Sequence, residues 1–377
     1  MDKTIYWVWL CNLSGIFPNK ITALLEHFET VEDIYRAGTD DYKGISGISR
    51  GDALVLNSKD LSHAEKIITA TQKAGAHILT YDDINYPDSL RKIPNPPYVL
   101  YIKGEMLPWD RLLCIGVVGT RESSEYGEKA VHHIAYELAL NGVTIVGGMA
   151  VGIDTVGALA ALEAGGKTIA VLGSGIDVVY PPQNAGLMQK IIENGAVITE
   201  YPPGSPAHGY HFPVRNRIIS GLSRGILVGE APAKSGALIT ARYALETGKD
   251  LFVIPGKIFD YNFVGSNRLL KEAGKATICA NDILEEYPYD VAKLVRPTGK
   301  KQAADNIKTV SIDDEKYSSL GTDERRIIEL LIEGNLHIDE MKAKSGIDIE
   351  RLNSMLPLLE MTGYIKKLPG DNYRLEY

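Results

Sequence analysis

Six short apolar runs constrain this chain more than any other feature. Residues 112–118, 143–146, 168–172, 196–199, 226–228 and 251–254 are rich in Val, Ile and Leu, and stretches of helical periodicity separate them. A run that is apolar at consecutive positions, not at every second one, suits a strand covered on both faces, as parallel strands in βα repeats are. Five or more such repeats in succession predict an open, doubly wound, mostly parallel sheet of the Rossmann-like kind. Its ligand site is expected at the carboxyl ends of the strands.

The flanks read differently. Residues 1–73 carry short helices over 19–28, 31–36 and 62–74, which predicts a small helical N-terminal domain. Within it, Gly44 and Gly47 precede a helical Gly51-Asp52-Ala53-Leu54. That spacing fits a helix-hairpin-helix (or SAM-like) module whose amides meet a phosphate, and equally an ordinary turn between packed helices. Residues 74–110 connect, with turns at Asn85-Tyr86-Pro87-Asp88 and Pro94-Asn95-Pro96-Pro97, and the α/β domain is expected over 74–287. Residues 288–320 lose periodicity and, around Pro297 to Asp305, have a linker's composition. Three helices near 322–331, 337–344 and 348–361, then a hairpin over 365–375, predict a C-terminal winged-helix domain at 321–377. Pro357 is expected to interrupt its third helix.

Charge narrows the function. The net charge of −8 argues against indiscriminate nucleic-acid binding. Residues 204–275 nevertheless hold ten Lys and Arg against five Asp and Glu, whereas residues 320–377 hold eight against eleven. A phosphate-binding face therefore belongs in the middle of the chain, and the winged helix is better suited to protein contact than to duplex reading. No apolar run approaches the roughly 18 residues of a membrane span, and the N-terminus lacks a leader's basic region. Cys11, Cys114 and Cys279 are widely separated. A reduced, cytoplasmic protein is expected.

Glycines cluster where the strands end. The first ends in Gly119-Thr120-Arg121, ahead of a helix near Tyr126-Gly127. Glycine lets the backbone approach a phosphate, the helix start offers free N–H groups, and Arg121 adds a forked cation or a surface ion pair. No G-x-G-x-x-G can be written, which disfavours a dinucleotide. The second strand ends in Gly147-Gly148 and runs through Gly152 to Asp154, expected to cap the helix or order the loop. The densest stretch is Phe212-Pro213-Val214-Arg215-Asn216-Arg217. Two guanidiniums flanking Asn216 at a helix start suit a phosphodiester. Phe212 is then a stacking platform for a base, or else core. Lys234, the Ser235 hydroxyl and the Gly236 N–H can hold one more phosphate, with Thr240 a turn further on.

Other signals fail. Gly166-Lys167-Thr168 resembles a P-loop tail, but position 161 is Ala and the segment leads into a strand. His208 and His211 lack a third metal ligand. No serine sits in a nucleophile elbow, and no paired carboxylates point to acid–base work. Neither cofactor nor catalysis is expected. Two alternatives stay open: a nucleoside monophosphate hydrolase using Gly236 to Thr240 with Glu246, and a nucleotide sensor.

The motifs stand in a familiar order. Gly119-Thr120-Arg121, Gly152-Ile153-Asp154-Thr155, Tyr180-Pro181-Pro182, Glu200-Tyr201-Pro202-Pro203-Gly204, Phe212 through Ile219, Ser235-Gly236-Ala237-Leu238-Ile239-Thr240-Ala241, Pro255-Gly256 and Gly265-Ser266-Asn267 resemble those of the DNA processing protein A (DprA, or Smf) family. That resemblance implies a bacterial, non-enzymatic mediator that binds single-stranded DNA. It further implies a homodimer that loads the RecA recombinase during natural transformation. It assigns Gly119, Thr120 and Arg121 to a first phosphate clamp, Phe212 to a base, and Arg215, Asn216, Arg217, Ser235, Gly236 and Thr240 to the remaining pocket. The chain departs from the family at Val151, where Arg is usual, and at Ala158 and Leu159, where His and a basic residue are common. Lys234 and Arg242 are candidates to compensate.

Overall fold

The computed structural model describes residues 3–294, 320–332, 336–368 and 371–375, so the linker around 297–305 lies outside the described residues. The chain forms two compact units, divided near residue 300.

In the first unit, five helices come first: α1 (Thr4–Cys11), α2 (Pro18–His27), α3 (Val31–Arg36), α4 (Arg50–Leu56) and α5 (Ser62–Lys73). Residues 39–44, which run up to Gly44, are turns, as are residues 46 and 47, so the two glycines lie in the connection between α3 and α4. Ser49 and Asp52 close the N-terminus of α4 in a capping box, with Lys20 on the Asp52 carboxylate at 2.7 Å.

A nine-stranded sheet follows: β1 (His77–Thr80), β2 (Val99–Gly104), β3 (Cys114–Val118), β4 (Thr144–Gly147), β5 (Thr168–Val171), β6 (Gly195–Thr199), β7 (Gly225–Val228), β8 (Asp250–Val253) and β9 (Lys275–Ala276). The strand order is β1-β2-β6-β5-β4-β3-β7-β8-β9. All six apolar runs are strands, and the pairs from β6 to β9 are parallel. The segment expected only to connect supplies β1 and β2, which pair antiparallel with each other, and β2 pairs antiparallel with β6.

Alternate residues of each strand enter opposite cores. Val118, Val146, Ile169, Ile226 and Val253 pack under α6 (Asp88–Arg91), α10 (His211–Leu222), α11 (Ala237–Glu246) and α12 (Val264–Glu272). Ile115, Val117, Ile145, Leu227 and Phe252 pack on the other face against α7 (Glu125–Leu140) and α8 (Ile153–Glu163), with α13 (Asn281–Leu284). The N-terminal helices continue that face over β2 and α9 (Ala185–Asn194), where Trp7 stacks on Tyr98 at 5.8 Å. The short α14 (Pro288–Val291) ends this unit.

The second unit holds α15 (Thr322–Ile332), α16 (Ile338–Ser345), α17 (Ile349–Met361) and a sheet of β10 (Leu336–His337), β11 (Ile365–Leu368) and β12 (Asn372–Leu375), ordered β10-β12-β11. Pro357 does not interrupt α17. It lies on the exposed face, where the carbonyl it leaves without an N–H partner meets water, while Leu352, Met355, Leu356 and Leu359 anchor the opposite face.

Candidate nucleic-acid interface

Chain direction reverses its sideways drift at β3. From β3 the chain moves through α7 to β4 on one side, and from β7 through α11 to β8 on the other. The loops at the carboxyl ends of β3 and β7 therefore diverge and leave a crevice between them. A cleft of about 650 Å3 lies there.

Gly119, Thr120, Arg121, Phe212, Arg215, Asn216, Lys234, Ser235, Gly236 and Thr240 all line this cleft. Gly148 lines an adjoining hollow of about 260 Å3 together with Val151, Tyr180 and Gln183. Gly152 and Arg217 line neither. Gly152 starts α8 at φ +79°, with a Cβ position 2.4 Å from the Thr120 carbonyl, so it shapes the loop from behind.

Phe212 is half-buried beside two cations. The Arg121 guanidinium lies 5.7 Å from its ring and that of Arg215 5.9 Å, with the Tyr180 ring 5.3 Å away. The two arginines are not equivalent. Arg121 is exposed. Arg215 is buried, donating from Nη1 to the carbonyls of Gly148, at 2.9 Å, and Val171, and from Nε to Asn216 Oδ1 at 3.1 Å. Burial lowers its pKa to about 10, with Asp154 opposing, and the charge persists at neutral pH. Asp154 accepts the Gly148 N–H at 2.9 Å, ordering the loop; burial raises its own pKa against the pull of Arg215 and the loop amides.

Arg217 is a correction to the sequence reading. Helix α10 already begins at His211, so Arg217 falls in its second turn and points inward. Its two terminal nitrogens donate to both Glu200 oxygens at 2.9 and 2.6 Å, with side-chain exposures of 6% and 13%. That pair commits the charge to the interior.

The helix starts divide the work. Ser124 caps α7, yet Glu230, wholly buried at the end of β7, fills the space beside it: its carboxylate accepts the Ser124 N–H at 2.9 Å and the Ser124 hydroxyl at 3.2 Å. Glu230 thus takes up space beside the opening of α7, where the sequence suggested a phosphate. The start of α11 is more open, with Lys234 and Gly236 exposed and Ser235 Oγ accepting the Ala237 N–H at 3.2 Å. A Cβ on Gly127 would sit 1.9 Å from Glu230 Oε2. Gly127→Ala is expected to destabilise the unit by about 1–3 kcal/mol through overpacking, read as a lower urea midpoint; an unchanged midpoint would show that the carboxylate moves freely.

The departures and alternatives also find their places. Ala158 and Leu159 pack into the core shared with the N-terminal helices, so basic groups there are not missing from the cleft. Lys234 lines the cleft, and Arg242, exposed on α11, does not. Glu246 closes α11 at the end away from Gly236, about 15 Å along the axis, too far to serve a hydrolase site at the helix start. Sequence reasoning missed Tyr261, which lines the cleft from a loop with no periodic signal, and did not count Tyr180, an aromatic in the loop after β5, among the site residues.

Fold and cleft together define an α/β protein with an aromatic–guanidinium centre in the cleft at its switch point. The chain belongs to the DNA recombination-mediator protein A family, whose profile matches residues 77–288; that of the DprA winged helix domain matches residues 314–371. It is 30% identical to Protein Smf of Synechocystis over 99% of both chains, and 38% identical to DNA processing protein DprA of Streptococcus pneumoniae over 77% of this chain and all of that one. The X-ray structure of the Streptococcus pneumoniae protein covers 76% of this chain and 99% of its own at a TM-score of 0.67 and 36% identity. DNA processing protein A from Helicobacter pylori, whose structure is described for its single-stranded DNA binding mode, covers 57% of this chain and 99% of its own at a TM-score of 0.51 and 31% identity. No helix among the described residues is long and apolar enough to cross a membrane.

Proposed function

We propose that this chain is a non-enzymatic, cytoplasmic mediator that binds single-stranded DNA in the β3–β7 cleft, protects it, and loads a RecA-type recombinase during natural transformation, working as a homodimer. The observation that carries the binding step is the position of Phe212, a half-buried ring that lines the cleft with the Arg121 and Arg215 guanidiniums 5.7 and 5.9 Å from it. A stacked base with phosphates on adjacent cations is the usual arrangement for single strands, and duplex DNA cannot offer an unstacked base to such a ring. Arg121, Lys234 and the start of α11 supply the backbone contacts. These carry no base information, so recognition is sequence-tolerant. The single-strand mode described for the Helicobacter pylori relative supports the same reading, and the recombinase and dimer steps rest on the family resemblance.

Fluorescence anisotropy with single- and double-stranded oligonucleotides tests the binding step, and the same titration with recombinase added tests loading. Tighter single-strand binding is expected, and equal affinity for the two would overturn the reading. Lys234→Ala is expected to lower the slope of log K against log salt by about 0.7, the share of one single-strand phosphate contact. An unchanged slope would remove Lys234 from the contacts.

A further inference from the structure

The loop after β8 crosses from the sheet to α12 along the mouth of the cleft and presents an unusual surface. Ile258 is 76% exposed, Phe259 96% and Tyr261 67%. Single exposed apolar side chains are ordinary, but three within four residues beside a polar cleft mark a contact surface.

The loop is pinned. Tyr126 Oη donates to the Pro255 carbonyl at 2.9 Å, and the Asn267 side chain brackets Gly256, accepting its N–H at 3.2 Å and donating to its carbonyl at 3.1 Å. Asn262 Nδ2 donates to the Glu122 carbonyl at 2.9 Å, tying the loop to the segment that carries Arg121. Asp260 Oδ1 accepts the Asn262 backbone N–H at 3.0 Å, while Lys257 stays exposed. Tyr261 lines both the cleft and the shallow hollow formed by Lys257 to Tyr261, so the two surfaces are continuous.

We propose that Lys257, Phe259 and Tyr261 extend the cleft into a track for the nucleotides next to the one at Phe212. Bases stack on Tyr261 and Phe259, and Lys257 meets the phosphate between them. The inference rests on the single-strand reading above. Aromatic rings on a pinned loop lose little freedom when a base stacks on them, and stacking tolerates any base.

The test uses the full chain with oligothymidylates of about four and about twelve nucleotides, the range of single-strand sites per domain. Phe259→Ala is expected to leave the melting temperature and the short-oligonucleotide affinity unchanged, and to weaken the long one about tenfold, as loss of one stacked base should. A 2-aminopurine base stepped along the long oligonucleotide should be quenched at one position that the variant releases. Equal affinity of variant and wild type for both lengths, or equal loss for both, would overturn the track. So would intact long-oligonucleotide binding with impaired self-association or recombinase capture, which would make the loop a protein-docking face. Failure of the wild type to bind either length would instead sink the single-strand reading itself.

Discussion

Arg217→Ala is expected to cost about 3–5 kcal/mol of stability, because it leaves the mostly buried Glu200 carboxylate without the guanidinium that binds both of its oxygens. Urea unfolding followed by tryptophan fluorescence reads this well, since Trp7, Trp9 and Trp109 are all buried in the same unit. Removing both charges with an Arg217→Met, Glu200→Gln pair should restore much of the loss, because no charge is then left in the interior without a partner. A variant that kept its urea midpoint and lost only oligonucleotide affinity would return Arg217 to the binding surface.

Phe212→Ala should have the largest effect on binding, a loss of about 1–3 kcal/mol, or roughly five- to 150-fold in affinity, for one unstacked base. Arg121→Ala should act differently. It should weaken binding about equally on all sequences and reduce the salt slope by about 0.7, because a phosphate contact is lost and not a stacking platform. Titrations of homopolymeric and mixed oligonucleotides at several salt concentrations separate the two effects. Unchanged affinity of Arg121→Ala at moderate salt would refute its assignment as a clamp. Phe212 packs beside two cations, so its loss also frees the Arg121 side chain; the double variant should therefore lose less than the sum of the two.

The parallel strands were legible because they are covered on both faces, which forces consecutive apolar residues regardless of what surrounds them. The antiparallel strands β1 and β2 were not, because the turns at 85–88 and 94–97 dominate that segment and β1 is only four residues long. In the site, the loops were legible from glycine and charge, but charge alone does not tell an exposed guanidinium from an interior one. The signal for Arg215 was present. It shares helical spacing with Ile218, Ile219 and Leu222, the face of α10 that meets the sheet. For Arg217 the missing fact was Glu200, seventeen residues away in sequence and brought near only by the return from β6. Pro357 misled because a proline's cost depends on which face of the helix it occupies.

Glu230 has a consequence for selectivity. In a dinucleotide-binding domain, the helix after the first strand receives a pyrophosphate at its amino end. Here the Glu230 side chain, carried by a neighbouring strand and sealed from solvent, takes up the space beside that amino end and accepts the Ser124 N–H. A free nucleotide cofactor seeking that spot would have to displace a resident carboxylate at effectively unlimited local concentration. Glycines added to the loop alone would leave that place filled, because the side chain that fills it comes from the interior of the sheet and not from the loop.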